Sequence, residues 1–370
     1  MALGPEITKR HQPFASLEKL LAPDTLSALV SLPIVSARRM PFTGGHSASG
    51  SRFLAVETND GQGPRFVVKL SSPDCDWIVR GTADHHGREM LVWTTGLLDQ
   101  LPPEFTHPIL ACARDGTGWA ILMDDVSDAL IPDSMGATPI AVEDYRLILE
   151  ALAALHAAFW QQPAIANPAL GFCSPWHRYV VFTPTTGERE ADDPHEVIRW
   201  IQEGWPAFLA MIAPDVAGLL RELLRDPAPL CTAMARYPQT VLHGDPRGAN
   251  LGIVREPTPR LMVIDWHLVG PGVPAADLSW VLSNFAIQAP VPHETAIAWY
   301  REALSRRLGS CFDESWWRPQ LELSLLGELL RCGAGIGWDA TNSRGEAIGE
   351  WTRSSLAWWS ERAREGARWL

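Results

Sequence analysis

The feature that most constrains this chain is a set of three polar residues placed next to short apolar strands. The segment 241–250 reads VLHGDPRGAN, and the apolar run LMVI at 261–264 leads directly into Asp265. Asp245 and Asn250 therefore lie five positions apart on a loop, and the second Asp follows a strand. Phosphoryl transfer needs such a set, with one carboxylate to orient the attacking hydroxyl and an Asn plus a second carboxylate to hold Mg²⁺ on the phosphates. The pattern therefore indicates a phosphoryl-transfer site.

The same residues resemble a known superfamily. His243, Asp245 and Asn250 have the spacing of the protein-kinase catalytic loop, and Asp265 stands where the metal-binding Asp of the DFG motif stands. The Gly inside His-Gly-Asp, and Ile-Asp-Trp in place of DFG, resemble the aminoglycoside phosphotransferase and choline-kinase-like branch. The segment 265–278, with its DWHLVGPG start and its later Asp-Leu pair, is most similar to ecdysteroid-kinase-like and related bacterial phosphotransferases.

This resemblance implies specific roles for the motif residues. Asp245 would be the catalytic base, and Asn250 and Asp265 would be the metal ligands. Arg247 stands two positions after the base, where many protein kinases carry a lysine that faces the transferring phosphoryl group, and a guanidinium can supply the same charge. The alternative, an Asx-rich turn between two strands, requires the three polar positions and their spacing to agree by chance.

A single lysine inside an apolar strand is the next signal. Lysine is rare in this chain, since Lys9, Lys19 and Lys69 are the only lysines among its 31 basic residues. Lys69 ends the run FVVKL, where the resemblance places the lysine that contacts the α- and β-phosphates, and Glu89 opens the following helix, where its partner is expected. The alternatives are a lysine reaching solvent and a first-turn Glu favoured by the helix dipole.

Two further segments are predicted to contact the nucleotide. The glycine- and serine-rich sequence TGGHSASG precedes the first predicted strand of a hairpin, where small residues let backbone N–H groups approach phosphates, so Gly44, Gly45 and Ser47 are candidates. It departs from the GxGxxG of protein kinases, and alone it is typical of a turn. The sequence ILMDDV resembles the hinge, where backbone groups from Met123 to Asp125 are expected to bind adenine.

Periodicity divides the chain into two parts. β-forming runs separated by Gly, Asn, Asp and Pro dominate the first part, whereas helical spacing dominates beyond Asp128. A chain of 370 residues also exceeds the usual size of one hydrophobic core. We predict an α+β, bilobal protein-kinase-like fold, with a nucleotide-binding β-rich lobe at 1–125 and a helical lobe at 126–370 that carries the catalytic loop and the acceptor site. Residues 183–194 are predicted to form a surface loop.

Composition excludes several other classes of protein. The formal net charge is −12 and no Lys/Arg cluster is visible, which argues against a nucleic-acid partner. No apolar run reaches the roughly 18 to 20 residues that a membrane span needs, and the first ten residues lack the pattern of a signal peptide, so a cytoplasmic protein is expected. The six cysteines form no CxxC pair, which fits neither a zinc site nor a disulfide framework. The oligomeric state is not predicted.

The predicted function is therefore transfer of the γ-phosphoryl group of ATP, with Mg²⁺, to a hydroxyl of a small molecule. Gly244 replaces the Arg of the HRD motif and no APE-like motif follows, which favours a constitutively assembled site and a small acceptor. Two alternatives remain: a non-catalytic nucleotide-binding scaffold, and nucleotidyl transfer from the same pocket. A scaffold usually loses the base, the lysine or a metal ligand, and this chain has all of them.

The sequence leaves the roles of several further residues open. Asp277 is interpreted as bracing or capping the catalytic loop, and His156 as a core residue rather than a catalytic one; His267 stays open. Tryptophans of the helical lobe could line the acceptor site or pack helices. Carboxylates that could receive an amine are Asp192, Asp193, Glu196, Asp313 and Asp339. Their spacing selects none of them, so an antibiotic, an amino sugar, a choline-like amine and a sterol-like alcohol all remain possible acceptors.

Overall fold

The first part of the chain is a small antiparallel sheet with short helices. The computed structural model describes residues 11–44, 47–132, 139–342 and 346–370, with the backbone alone for 346–354. The elements of the first part are α1 (Leu17–Leu20), α2 (Pro23–Val30), β1 (Ala37–Pro41), β2 (Arg52–Thr58), β3 (Phe66–Ser71), α3 (Trp77–Gly81), α4 (Arg88–Thr94), β4 (Phe105–Thr106), β5 (Ile109–Asp115) and β6 (Gly118–Asp124).

The sheet has the strand order β1-β2-β3-β6-β5, and every neighbouring pair is antiparallel. The predicted hairpin is confirmed as β2 and β3. All six residues of β3 are buried, since this strand lies in the centre of the sheet. Lys69 is therefore a central-strand residue, paired with Phe53 on one side and Ile121 on the other.

The helices of this part differ from the sequence prediction. The helix predicted around Glu89 spans only Arg88–Thr94, and a short helix, α3, precedes it without having been predicted. Both are stabilised at their starts by carboxylates, because Asp76 accepts a 3.0 Å bond from the Val79 N–H and Asp84 accepts one of 2.8 Å from the Arg88 N–H. These caps let segments too short for a clear periodic pattern form helices.

The second part is mainly helical. Its elements are α5 (Val142–Ala158), α6 (Pro175–Val180), α7 (Pro184–Arg189), α8 (Glu196–Met211), α9 (Pro214–Arg225), α10 (Ala228–Met234), β7 (Thr240–Leu242), β8 (Leu251–Val254), β9 (Arg260–Val263), β10 (Gly270–Gly272), α11 (Ala275–Asn284), α12 (His293–Leu308), α13 (Glu314–Asn342) and α14 (Glu346–Ala367). The prediction of a loop over 183–194 is wrong, because Pro184 takes the first helical position of α7, where its missing N–H has no cost. The α+β fold class is confirmed.

Four short strands hold the motif segment in place. β7 pairs with β10, and β8 forms a hairpin with β9, so the loop between β7 and β8 and the turn after β9 lie side by side. β4, from the first part of the chain, adds to β9 as a parallel strand. Among the described residues, no helix is both long and apolar enough to span a membrane.

Helices α8 and α13 meet through glycines. A Cβ atom added to Gly204 would lie 1.9 Å from the carbonyl oxygen of Ala334, and one added to Gly337 would lie 2.0 Å from that of Gly204. Only residues without a side chain allow two helix backbones to approach so closely. This contact sets the position of two helices that line a cavity of the candidate site.

Candidate active site

The predicted lysine, Lys69, forms ion pairs with both Glu89 and Asp265. Lys69 Nζ lies 2.9 Å from Glu89 Oε2 and 2.5 Å from Asp265 Oδ1. Burial alone would lower the pKa of Lys69, but the carboxylates of Asp265 and Glu89 outweigh burial and raise it. Lys69 is therefore a permanent cation, held between the sheet, helix α4 and the turn that carries Asp265.

Asp265 lies on a sharp turn directly after β9. Its backbone has φ +64°, in the left-handed region that Asp tolerates better than most residues. Burial alone would raise the pKa of Asp265, but His267 and Lys69 hold it well below the usual range. The side chain is thus an anion, and a carboxylate anion is a ligand that Mg²⁺ favours.

Asp245 lies in a buried loop and both of its carboxylate oxygens accept hydrogen bonds. Trp280 Nε1 donates to Oδ1 at 2.8 Å, and Asn250 Nδ2 donates to Oδ2 at 2.8 Å. Arg247 Nε lies 3.5 Å from Oδ2. A carboxylate oxygen can accept more than one hydrogen bond, so this carboxylate is oriented and still has capacity for a hydroxyl donor.

The orientation of Asn250 suits a metal ligand. Its Nδ2 also donates to the backbone oxygen of Asp245, at 3.0 Å, which assigns the amide nitrogen and turns Oδ1 away from Asp245. Asn250 and Asp265 both line the same cavity. The described residues contain no group of three or more His, Cys, Asp or Glu side chains that could hold a metal. Mg²⁺ bound through phosphates needs only one or two protein oxygen ligands, so these two residues fit it.

Asp277 holds the backbone of the loop that carries Asp245. Its fully buried carboxylate accepts bonds from the backbone N–H groups of His243, at 2.8 Å, and Gly244, at 3.0 Å. His156 Nε2 lies 3.3 Å from the same carboxylate, and Tyr300 hydrogen-bonds the other nitrogen of that ring. Burial alone would raise the pKa of Asp277, but the His156 hydrogen bond and nearby positive groups lower it. His156 thus lies in the core and contacts Asp277, not Asp245.

His267 lies between the carboxylates of Asp265 and Asp245. Its Nδ1 hydrogen-bonds Asp265, and its Nε2 lies 3.9 Å from Asp245 Oδ2, without a hydrogen-bond partner among the described residues. Burial alone would lower the pKa of His267, but the Asp265 carboxylate outweighs burial and raises it. Arg88, the residue before Glu89 on α4, donates to the His267 backbone oxygen and so fixes this turn to the helix.

The glycine- and serine-rich segment is anchored from two sides. Ser49 and Ser51 donate from their hydroxyls to Asp76, at 2.6 and 2.5 Å. His195, from the helical part of the chain, hydrogen-bonds the backbone oxygen of Ser47 at 2.7 Å. Gly44 and Ser47 line a cavity, and Gly45 lies outside the described residues.

Two cavities meet at these residues. The first, of about 250 Å³, contains Lys69, Glu89, Asn250 and Asp265 between apolar walls from both parts of the chain. Those walls include Phe42, Phe53, Val67, Met123, Leu130, Ile131 and Ile264. The second, of about 370 Å³, lies on the other side of Asp265 and contains Asp245 and His267. Ala48, Arg247 and Asp265 line both.

Of the two predicted hinge residues, Met123 and Asp125, only the first lines the smaller cavity. Met123 lines the first cavity together with Asp124 and Val126, whereas Asp125 is not part of its lining. The Asp125 N–H already donates to the Arg65 backbone oxygen at 3.1 Å. The neighbouring Asp124 N–H is engaged too, since it donates to the Pro108 backbone oxygen at 3.0 Å.

Two residues near Asp245, Trp280 and Arg331, were not predicted by the sequence motifs. Arg331, on α13, donates to the Gly244 backbone oxygen at 2.6 Å, and its guanidinium carbon lies 3.7 Å from the centre of the Trp280 ring. Trp280 had a usable sequence signal, because it follows Asp277 by three positions and so lies on the same helix face. Arg331 had none, since 87 positions separate it from Gly244.

Comparison with known proteins gives one family and a set of similar structures. The sequence model of a group described as a phosphotransferase enzyme family matches residues 45–309. No curated protein matches the chain. A microcompartment-associated aminopropanol kinase has a TM-score of 0.50 and 17% identity, covering 90% of this chain and 94% of its own.

Two further solved structures are similar at lower scores. The choline kinase of Streptococcus pneumoniae has a TM-score of 0.49 and 15% identity, covering 93% of this chain and 99% of its own. An aminoglycoside phosphotransferase from Streptomyces rimosus, in complex with ADP and streptomycin, has a TM-score of 0.45 and 17% identity, covering 77% and 93%. At these identities, structural similarity reports on the fold and not on the acceptor.

Proposed function

The chain belongs to the phosphotransferase enzyme family, and from that premise we propose that it transfers the γ-phosphoryl group of ATP to a hydroxyl of a small molecule. In this proposal residues 1–125 bind the nucleotide, and residues 126–370 supply the base, the metal ligands and the acceptor site. Transfer from one bound molecule to another requires two sites that share a boundary.

The observation that carries the proposal is the junction of the two cavities. Lys69 and Asn250 line the smaller one, Asp245 lines the larger one, and Asp265 and Arg247 line both. A phosphoryl group held at this junction would face the phosphate-binding groups on one side and the base on the other. A nucleotide-binding scaffold has no need of a second cavity with a carboxylate at the boundary.

Asp245 is proposed as the base that orients the acceptor hydroxyl and receives its proton. The hydrogen bonds from Trp280 and Asn250 hold the carboxylate in one orientation, so little reorganisation is needed when the acceptor binds. Asp277, through the His243 and Gly244 N–H groups, fixes the backbone that carries it.

Lys69, Gly44, Gly45 and Ser47 are proposed to hold the phosphates. Glu89 keeps the Lys69 ammonium in position, at 2.9 Å. Arg247, at the junction, would place a second positive group beside the transferring phosphoryl.

Asn250 and Asp265 are proposed as the protein ligands of Mg²⁺. When bound, Mg²⁺ neutralises the charge that develops on the phosphate oxygens. Met123 and Asp125 remain candidates for the hinge, with the Met123 side chain against the adenine ring.

The test is product mass. The chain is incubated with MgATP and a library of hydroxyl compounds that includes amino sugars, amino alcohols, macrolides and sterols, beside an Asp245→Asn variant. We expect a product that gains one phosphate, formed by the wild type and slowed by about 10³-fold in the variant, while the dissociation constant for ATP stays unchanged. A product that gains one nucleotide would instead indicate nucleotidyl transfer. Nucleotide binding without any product would favour the scaffold alternative.

A further inference from the structure

The larger cavity points to a particular chemical class of acceptor. We propose that it binds a long amphiphilic amino alcohol, with the hydroxyl at Asp245, an apolar chain along the cavity walls and the amine at Asp339. This inference rests on the proposed function for the identity of the hydroxyl end. It goes further in assigning the opposite end of the cavity as a cation site.

The walls of the cavity are mainly apolar. Aromatic faces come from Trp77 of α3, Phe182 and Trp280, and aliphatic side chains such as Ile201 and Ile336 complete the surface. The polar side chains Ser49, Ser283, Asn284 and Gln288 also line the cavity, but each already donates a hydrogen bond within the protein. A hydroxylated sugar would therefore place many of its polar groups against apolar walls, which is costly. An apolar chain gains free energy from the same contacts.

The structure distinguishes between the five carboxylates that the sequence offered as candidates for binding an amine. Only Asp339 lines the cavity. Asp193 is paired with Arg80 at 2.7 Å, and the other three, Asp192, Glu196 and Asp313, are exposed. The structure therefore selects one carboxylate from a set that spacing could not resolve.

Asp339 is a half-buried carboxylate with no hydrogen-bond or ion-pair partner among the side chains that the structure describes. Burial raises the pKa of Asp339 to about 6, because no cation among the described side chains compensates the loss of water. A ligand ammonium would supply the missing positive charge. The other cations of the cavity are already engaged, since Arg331 binds the Gly244 oxygen and Arg247 lies beside Asp245.

The number of carboxylates that line the cavity limits how many positive charges a bound acceptor can carry. The described residues of the lining include three carboxylates, Asp245, Asp265 and Asp339. The first two are assigned to the reaction, which leaves one for an amine. An acceptor with several ammonium groups would place all but one of them against apolar walls, so a single amine is favoured.

The helix α13 sets the distance between the two ends. Arg331 contacts Gly244 of the catalytic loop, and Asp339 follows it by eight positions on the same helix. At about 1.5 Å per residue, the Cα atom of Asp339 lies roughly 12 Å further along the helix axis than the Cα atom of Arg331. An extended chain advances about 3.6 Å for every three single bonds, so a chain of about ten bonds spans this distance. Short amino alcohols cannot reach both ends.

The experiment uses ω-amino-1-alkanols of two to twelve carbons and the matching 1-alkanols without the amine. Affinity is measured at pH 7.5 by calorimetry without nucleotide, and turnover is measured separately with MgATP. We expect affinity to rise with chain length to a maximum near ten carbons, where the amine improves it about tenfold. Asp339→Asn should remove the benefit of the amine and leave alkanol affinity unchanged. Asp192→Asn, an exposed carboxylate on the same part of the chain, is the matched control.

A second variant tests the cavity itself. Gly335 lines the cavity, and a Cβ atom added there meets nothing within 4 Å, so Gly335→Leu should fill the space without disturbing the helix. We expect the ten-carbon compound to bind at least tenfold more weakly to this variant. Gly218→Leu, at an exposed open position on α9, should bind it normally.

The outcomes separate the two proposals. Absence of binding, equal binding of amines and alkanols, or an amine benefit that survives Asp339→Asn would each overturn the assignment of Asp339. Turnover of two-carbon amino alcohols alone would overturn it and leave the kinase proposal standing. Binding with the expected length and amine dependence, but with no phosphorylated product, would support the acceptor site and contradict the proposed phosphoryl transfer.

Discussion

The indole Nε1 of Trp280 donates a 2.8 Å hydrogen bond to Asp245 Oδ1, the carboxylate proposed as the base. Trp280 is itself covered by the Arg331 guanidinium, and Arg331 binds the backbone oxygen of Gly244, one residue before Asp245. Helices α11 and α13 thus hold Asp245 through both its side chain and its backbone. Under the proposed function, Trp280 positions the base and is also a wall of the acceptor cavity.

Replacing Trp280 by Phe keeps an aromatic ring under Arg331 but removes the hydrogen bond to Asp245. We expect kcat to fall about tenfold, since one neutral donor to a charged group is lost, with a smaller change in KM. Steady-state kinetics on the acceptor found in the product screen provide the measurement. Trp205→Phe is the matched control, because it also loses a 2.8 Å indole bond, to the Phe182 backbone oxygen, but Trp205 has no hydrogen bond to Asp245 and does not itself line the cavity. An equal loss of kcat in both variants would contradict the positioning role.

Removing the Asp277 carboxylate should destabilise the whole helical part. Asp277→Ala leaves the buried N–H groups of His243 and Gly244 without their acceptor, at a cost of roughly 3 to 5 kcal/mol of unfolding free energy. Asp277→Asn keeps one oxygen acceptor and should lose about half as much. Urea denaturation followed by tryptophan fluorescence measures both. If both variants were as stable as the wild type, Asp277 would not brace the loop.

The buried carboxyl of Glu328 should make the free energy of unfolding depend on pH. Its buried carboxyl accepts a 2.6 Å bond from Ser283, and burial raises its pKa to about 7 from 4.5. Between these two values the folded protein keeps a proton that the unfolded chain has released, so stability falls as pH rises and then levels above pH 7. The full change is about 3 kcal/mol, at about 1.4 kcal/mol per pKa unit.

The matched variant for this prediction is Glu328→Gln, which keeps the shape and has no proton to lose. Its unfolding free energy, relative to wild type, should rise between pH 5 and pH 8 by up to the same amount. A pH-independent difference between the two proteins would show that Glu328 does not titrate in this range.

The close contact of α8 and α13 gives a prediction about packing. Gly204→Ala would place a Cβ atom 1.9 Å from the Ala334 oxygen, so the helices must separate, at a cost of about 1 to 3 kcal/mol. Gly218→Ala, at an open helical position, should instead stabilise by up to about 1 kcal/mol, because alanine favours helix. Thermal denaturation distinguishes the two. A Gly204→Ala protein as stable as the wild type would contradict this close approach of the two helices.

The sequence by itself determined the fold class and the residues whose meaning depends on local spacing. Asp245, Asn250 and Asp265 were predicted together because a loop and a strand end place residues at fixed separations along the chain. The structure brings Lys69 and Glu89 to the same place, as the resemblance to kinases implied. The hairpin, the sheet and the long helices followed from apolar periods of two and of 3.6 residues.

The tertiary structure decided which side chains face the cavity. Trp280, Arg331 and Asp339 come from α11 and α13, far along the chain from Lys69, and their helices are apolar on the faces that meet. An apolar helix face looks the same in sequence whether it packs against a core or lines a ligand cavity, because both exclude water. Only the packing of α8 against α13 through Gly204 and Gly337 determines where that space opens, and therefore that Asp339 is the carboxylate at its far end.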